Sequence, residues 1–122
     1  SNYTSGSLKW HPSSSVFAGA GISKTKALFS YQANWESAGR WSVEMLTKEH
    51  RLIFRPMEKL QIQKRGSIQI DYVKEIDYTS DEQYKPGLYL QTEVFLKGLK
   101  KGLCNILEQA LNTNYYKLIH KG

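Results

Sequence analysis

The stretch Leu60-Gln61-Ile62-Gln63-Lys64-Arg65-Gly66-Ser67-Ile68-Gln69-Ile70-Asp71-Tyr72 decides the fold class. Leu60 and Ile62 alternate with Gln61 and Gln63, Lys64-Arg65-Gly66 supplies a turn, and Ile68, Ile70 and Tyr72 return. A period of two with one polar face marks an antiparallel hairpin that is covered on one side only. The expected outer face carries Gln61, Gln63, Gln69, Asp71 and Lys74.

The same period extends upstream. Trp41, Val43 and Met45 alternate with Ser42, Glu44 and Leu46, and Thr47-Lys48-Glu49-His50 connects them to Leu52, Phe54 and Pro56. This predicts a second hairpin, with Trp41 in the core beside Val43 and Met45. Further back, Ala27, Phe29, Tyr31 and Ala33 alternate with Leu28, Ser30, Gln32 and Asn34. Downstream of Lys85-Pro86-Gly87 the period changes to that of a helix: Phe95, Leu99, Leu103, Ile106 and Ala110 form a stripe opposite Lys97, Lys100, Lys101 and Glu108. That helix is expected to run to Asn112-Thr113-Asn114, with one more turn over 115–119, and to cover the sheet. Gly98 and Gly102 inside it are read as points of close backbone packing. The fold class is therefore α+β, a large, mostly antiparallel open sheet covered on one face by a C-terminal helix. Residues 1–15 read as an irregular, Ser-rich lead-in that opens on an expression remnant, Ser1-Asn2, and residues 16–122 read as the folded domain.

With 122 residues the chain has the length of one ordinary domain, and its 40% hydrophobic and 23% charged residues give a globular composition. No apolar stretch reaches the roughly 18 residues of a membrane span, and no secretory leader opens the chain, as would also hold for a processed one. The single cysteine, Cys104, excludes an internal disulfide and, among Leu103, Ile106 and Leu107, is expected as a buried thiol. The net charge of +6 comes from scattered cations, and the stripe Lys97, Lys100 and Lys101 reads as a solvated helix face.

Catalytic motifs are few. Gly19-Ala20-Gly21 lacks the third glycine of a dinucleotide loop and sits in a strand pattern, and no Gly-Lys-Ser/Thr follows a glycine run. Nucleotide-cradling kinase and ATPase chemistry is thereby excluded at these positions. His11, His50 and His120 have no partner at a metal-ligand spacing, so no metal is expected. Glu36, Glu44, Asp71, Glu75, Asp77, Asp81 and Glu82 read as solvated carboxylates rather than an acid–base pair. The densest aromatic and cationic group is Trp35, Arg40 and Trp41, a surface suited to sugars or nucleotides.

One resemblance goes further. The run Ala27-Leu28-Phe29-Ser30-Tyr31-Gln32-Ala33-Asn34-Trp35-Glu36-Ser37-Ala38-Gly39-Arg40-Trp41-Ser42-Val43-Glu44, then Arg51, Pro56 and Glu58-Lys59-Leu60, resembles the C-terminal domain of the glucose-fructose oxidoreductase and inositol dehydrogenase (Gfo/Idh/MocA) family. Tyr84-Lys85-Pro86-Gly87-Leu88-Tyr89-Leu90-Gln91-Thr92-Glu93-Val94-Phe95-Leu96 is similar to that domain's sheet-to-helix segment. The resemblance spans residues 8–111. It implies a two-domain, cytoplasmic, NAD(P)-dependent parent in which an N-terminal Rossmann domain holds NAD or NADP. The sheet domain would supply contacts to a sugar or nucleotide-sugar and a homo-oligomer interface, and the parent would move hydride between a sugar hydroxyl carbon and nicotinamide. The family's Gly-rich loop, its Glu-Lys-Pro motif with the catalytic lysine and its Asp and His motif have no match in this chain. His11 is not preceded by Asp at the family spacing and does not inherit the catalytic histidine's role. No catalytic or cofactor-binding residue is assigned here, and the fragment alone is expected to be inactive.

Candidate substrate contacts are His11, Trp35, Arg40, Tyr84 and Tyr89, polar or aromatic residues placed in loops or at element ends, where sites gather on a scaffold. The alternative is a non-enzymatic basic sheet module that binds an anionic partner such as single-stranded nucleic acid. Steep salt dependence would mark it. The scattered cations disfavour that partner.

Overall fold

Seven strands and three helices stand in a computed structural model that describes residues 2–6, 8–9, 14–99 and 101–120, with Asn2 through its backbone only; two of the helices lie downstream of Lys85-Pro86-Gly87. The class is α+β, as the patterning predicts. The chain divides into two units, residues 1–38 with 104–122, and residues 39–103.

In the first unit β1 (Asn2–Ser5), β2 (Val16–Ile22) and β3 (Leu28–Asn34) form an antiparallel sheet in that order. A strand thus stands at Asn2–Ser5, where composition predicts an irregular lead-in. Its pairing with Val16–Gly19 supplies the backbone partners that turn a Ser-rich, weakly patterned segment into an edge strand. Tyr31 lies opposite Gly19 and Phe29 opposite Gly21. A Cβ at Gly21 would stand 2.6 Å from Phe29 Cζ, and one at Gly19 would collide with the Tyr31 ring. The two glycines are therefore berths for cross-strand aromatic rings. α3 (Ile106–His120) packs against β1 and β2, and Phe17 meets His120 edge-on with ring centroids 6.5 Å apart.

In the second unit β4 (Val43–Leu46), β5 (His50–Phe54), β6 (Leu60–Lys64) and β7 (Ile70–Tyr72) form an antiparallel meander. Both predicted hairpins are present, side by side in this sheet, but the strands divide into two sheets of three and four rather than one large sheet. Alternation along each strand is a local property, whereas sheet membership depends on which edges pair. The return strand β7 also differs in register from the expectation. Gln61 pairs with Tyr72 and Ile62 with Asp71, so Gln61 and Gln63 share a face with Ile70 and Tyr72 instead of with Asp71. The connection is responsible: Gly66 has φ +78°, Ser67 N–H donates to Lys64 O, and Gln63 Nε2 donates to Ser67 O. One residue of slip at such a turn moves every following side chain to the other face.

The resulting meander has one face on which Val43, Met45, Leu52, Phe54, Leu60 and Ile62 form an apolar patch, edged by Asp71 opposite Ile62 and by His50 and Lys64, and a mixed face of Glu44, Arg51, Ile53, Gln61, Gln63 and Tyr72. Among the described residues Ile53, 6% exposed, is the buried hydrophobic side chain, and it lies on the mixed face. There Glu44 and Gln61 flank it in register. Arg51 holds Glu44 through Nη2 at 2.6 Å and Nε at 3.0 Å, and Gln61 Nε2 reaches Arg55 O at 2.7 Å. Long side chains so anchored lay their methylene stems along the sheet. Both faces are otherwise partly open: Val43 is 39% and Met45 51% exposed on the apolar face, and Ile70 45% and Tyr72 52% on the mixed one.

α1 (Thr79–Gln83) and α2 (Leu88–Leu96) follow, and α2 packs against α1 and against no described strand of its unit. The single helix expected across 95–110 is instead two. Gly98 N–H donates to Phe95 O and Leu99 N–H to Val94 O, with Gly98 at φ +65°, which is a Schellman stop. Helix resumes through a reciprocal cap in which Glu108 N–H donates to Asn105 Oδ1 at 2.9 Å and Asn105 N–H to Glu108 Oε2 at 3.0 Å. Nothing lies within 4 Å of a Cβ at Gly98 or Gly102, so these glycines serve positive φ, +65° and +87°, and not close packing. α3 then runs without a break past Asn112-Thr113-Asn114 to His120. Cys104, just before this cap, is exposed rather than buried.

Candidate functional site

The elbow between α1 and α2 gathers the chemistry that the sequence scatters. Gly87 at φ +75° turns the chain, and its N–H donates to Asp81 Oδ1 at 2.7 Å. A bend locked in this way holds Tyr84 and Tyr89 as a stacked pair, with centroids 4.8 Å apart and planes inclined by 11°. Beside it a cavity of about 520 Å³ is lined by Lys85, Leu90, Gln91, Val94, Lys101 and Leu103. This size matches a small-molecule cleft, and two ammonium groups with one amide on apolar walls suit a polar or anionic ligand.

The elbow is anchored to the meander. Leu60 N–H donates to the Tyr78 hydroxyl at 3.1 Å, Lys59 Nζ stands 5.6 Å from the Tyr78 ring centroid, and Lys59 pairs with Glu82 at 2.7 Å. The hydrogen bond to Glu82, then its charge, raises the Lys59 pKa above its ordinary value. At the start of α1 the Thr79 hydroxyl and backbone N–H both donate to Asp77 and hold its carboxyl below the usual carboxylate range. Lys97 is raised in the same manner by Glu93 one turn earlier.

Of the predicted contacts, Tyr84 and Tyr89 are brought together. Trp35, 56% exposed, belongs to the first unit, while Arg40, also exposed, belongs to the second. His11 lies outside the described residues. Trp41, expected in the core, is 80% exposed, because β4 begins only at Val43 and leaves it ahead of the strand. Lys85, Gln91 and Lys101 were missed by sequence reasoning. The signal that points to them is Lys-Pro-Gly at a helix start together with a Gly-terminated helix end, which fold the two lysines toward one cleft.

The carboxylates are engaged in structural bonds. Glu44 holds Arg51, Glu82 holds Lys59, Asp81 holds Gly87, Asp77 caps Thr79, and Glu36 accepts from the buried Ser15 hydroxyl. Such carboxylates are ill suited to proton transfer. Among the described residues no group of three or more His, Cys, Asp or Glu is placed to hold a metal ion. The berthing of Tyr31 and Phe29 on Gly19 and Gly21 fills the space that a pyrophosphate would need, so these residues do not fit a dinucleotide. No helix among the described residues is long and apolar enough to cross a membrane. Compared with known proteins, the chain matches no family model, no curated protein and no solved structure.

Proposed function

We propose that the chain is the substrate-contact and assembly half of a cytoplasmic NAD(P)-dependent oxidoreductase acting on a sugar or nucleotide-sugar, with the nicotinamide held by a separate Rossmann domain. The observation that carries this reading is the apolar face of the meander, Val43, Met45, Leu52, Phe54, Leu60 and Ile62, over which its own unit lays no described helix. A sheet face of this kind is stabilised when another protein surface covers it, and a second copy of the chain supplies one by symmetry. The elbow supports the substrate half of the reading, since stacked tyrosines and a cleft with lysines and an amide suit a hydroxylated, partly anionic ligand.

Two measurements test it. Sedimentation velocity at high micromolar concentration should show association that Leu52→Glu abolishes, and a monomer throughout would refute the assembly role. In the full-length protein, Tyr84→Ala and Arg40→Ala should each raise KM for the sugar several-fold while leaving kcat within about twofold, the pattern of lost ground-state binding. Unchanged kinetics in both variants would remove these residues from the site.

A further inference from the structure

The opposite end of the meander carries a cation cluster that the sequence disperses over 18 positions, from Lys48 to Arg65. The β4–β5 turn and the end of β6 lie side by side: His50 pairs with Lys64, and Arg65 N–H donates to Glu49 O at 2.8 Å. Between the two turns is a cavity of about 410 Å³ lined by Lys48, Glu49, His50, Arg51, Lys64 and Arg65. Arg51 is committed to Glu44. The side chains of Lys48, Lys64 and Arg65 have no hydrogen-bond or ion-pair partner among the described residues. Three such cations against Glu49 leave a surplus of about two positive charges, the charge that a phosphate monoester, at about −1.5 to −2, would neutralise. Arg65 provides a planar fork for two phosphate oxygens, and the lysines provide point charges around it. The cavity is wider than a bare phosphate, and His50 is its sole ring, with no Phe, Tyr or Trp in the lining to build a stacking platform for successive bases.

We propose that the paired hairpin tips bind the phosphate group of a small phosphorylated molecule. This rests on the tip residues alone and stands or falls independently of the oxidoreductase reading. The test is titration of the chain with inorganic phosphate, glycerol phosphate and a short oligothymidylate, followed through backbone amide shifts. Glycerol phosphate should shift the amides of 47–50 and 64–67 and bind more tightly than inorganic phosphate, the ester group adding contacts to the cavity wall. K64A/R65A should weaken binding at least tenfold, and Lys74→Ala, which removes a charge elsewhere in the unit, should change it less than twofold. Equal binding of both phosphates would reduce the site to one for the free anion and overturn the ester assignment. Tighter binding of the oligothymidylate would assign the tips to nucleic acid. No shifts at the tips, or equal loss in the Lys74 variant, would overturn the site. Lys48→Gln, a change on an exposed turn, repeats the test should K64A/R65A disturb the fold.

Discussion

The three-stranded and four-stranded sheets solve the same problem in different ways. In the first, β2 reads Val-Phe-Ala-Gly-Ala-Gly-Ile, small enough for Tyr31 and Phe29 to lie across it and for α3 to approach β1 and β2. In the second, the strands carry Met45, Leu52, Phe54 and Ile62 on a face that meets no described helix of its unit, and the buried hydrophobic residue is on the other side. Small side chains on β2 admit cross-strand rings and the approach of a helix, although Leu28 and Phe29 on β3 stay 81% and 51% exposed, as open as Met45 at 51% on the second sheet. The two sheets thus differ in what packs on them: α3 approaches the first, and no described helix of its unit covers the apolar face of the second.

The largest effect expected is at the buried point of the second sheet. Ile53→Ala should cost about 3 kcal/mol in urea unfolding of the chain, because the cavity adds to the lost transfer energy. A cost below about 1 kcal/mol would mean that the mixed face is not packed as described and would erase the contrast between the faces. The next effect is one of sign. Gly98→Ala should destabilise by about 1 kcal/mol, since an L residue at positive φ is strained. Were α2 and α3 one helix, the same change would stabilise by about 1 kcal/mol, so a thermal melt separates the two architectures. On the apolar face, Met45→Glu should alter monomer stability by less than about 0.5 kcal/mol yet abolish association in sedimentation velocity. A larger loss of stability would place Met45 in a core and make the two sheets alike.

The smallest effects are electrostatic and confined to the second unit. The Asp77 pKa is lowered in the folded state, so its contribution is present above the ordinary value of 3.8 and is lost as pH falls through the lowered one. The Lys59 pKa is raised, so its contribution is present below 10.5 and is lost as pH rises through the raised value. Stability should thus be flat across neutral pH on both counts. In Thr79→Ala the carboxyl titration of Asp77, followed by NMR, should move up toward its ordinary value, because the side-chain hydrogen bond is the larger cause. An unmoved titration would show that the backbone N–H alone sets it.

Strand and helix identity was written locally. The alternations at 28–34, 43–46, 50–54 and 60–64 each became a strand, since which side chains can share a face is a property of consecutive residues. The helix stop and restart were legible too, in Gly98 and in Asn105-x-x-Glu108, but an apolar stripe at helical spacing runs across both and masks them. Of the site, Tyr84 and Tyr89 could be named because they flank Lys-Pro-Gly. The exposure of Cys104 and Trp41 could not, since neighbours in sequence do not reveal which surface a residue meets.

By itself, then, the sequence determined the α+β class and the strands between residues 28 and 64, through side-chain periodicity. Only the tertiary structure decided that the strands divide into two sheets, that Gln61 faces with Tyr72, and that Lys48, Lys64 and Arg65 share one cavity. Edge pairing and turn register act between residues far apart in the chain, and a single residue of slip reverses every face that follows.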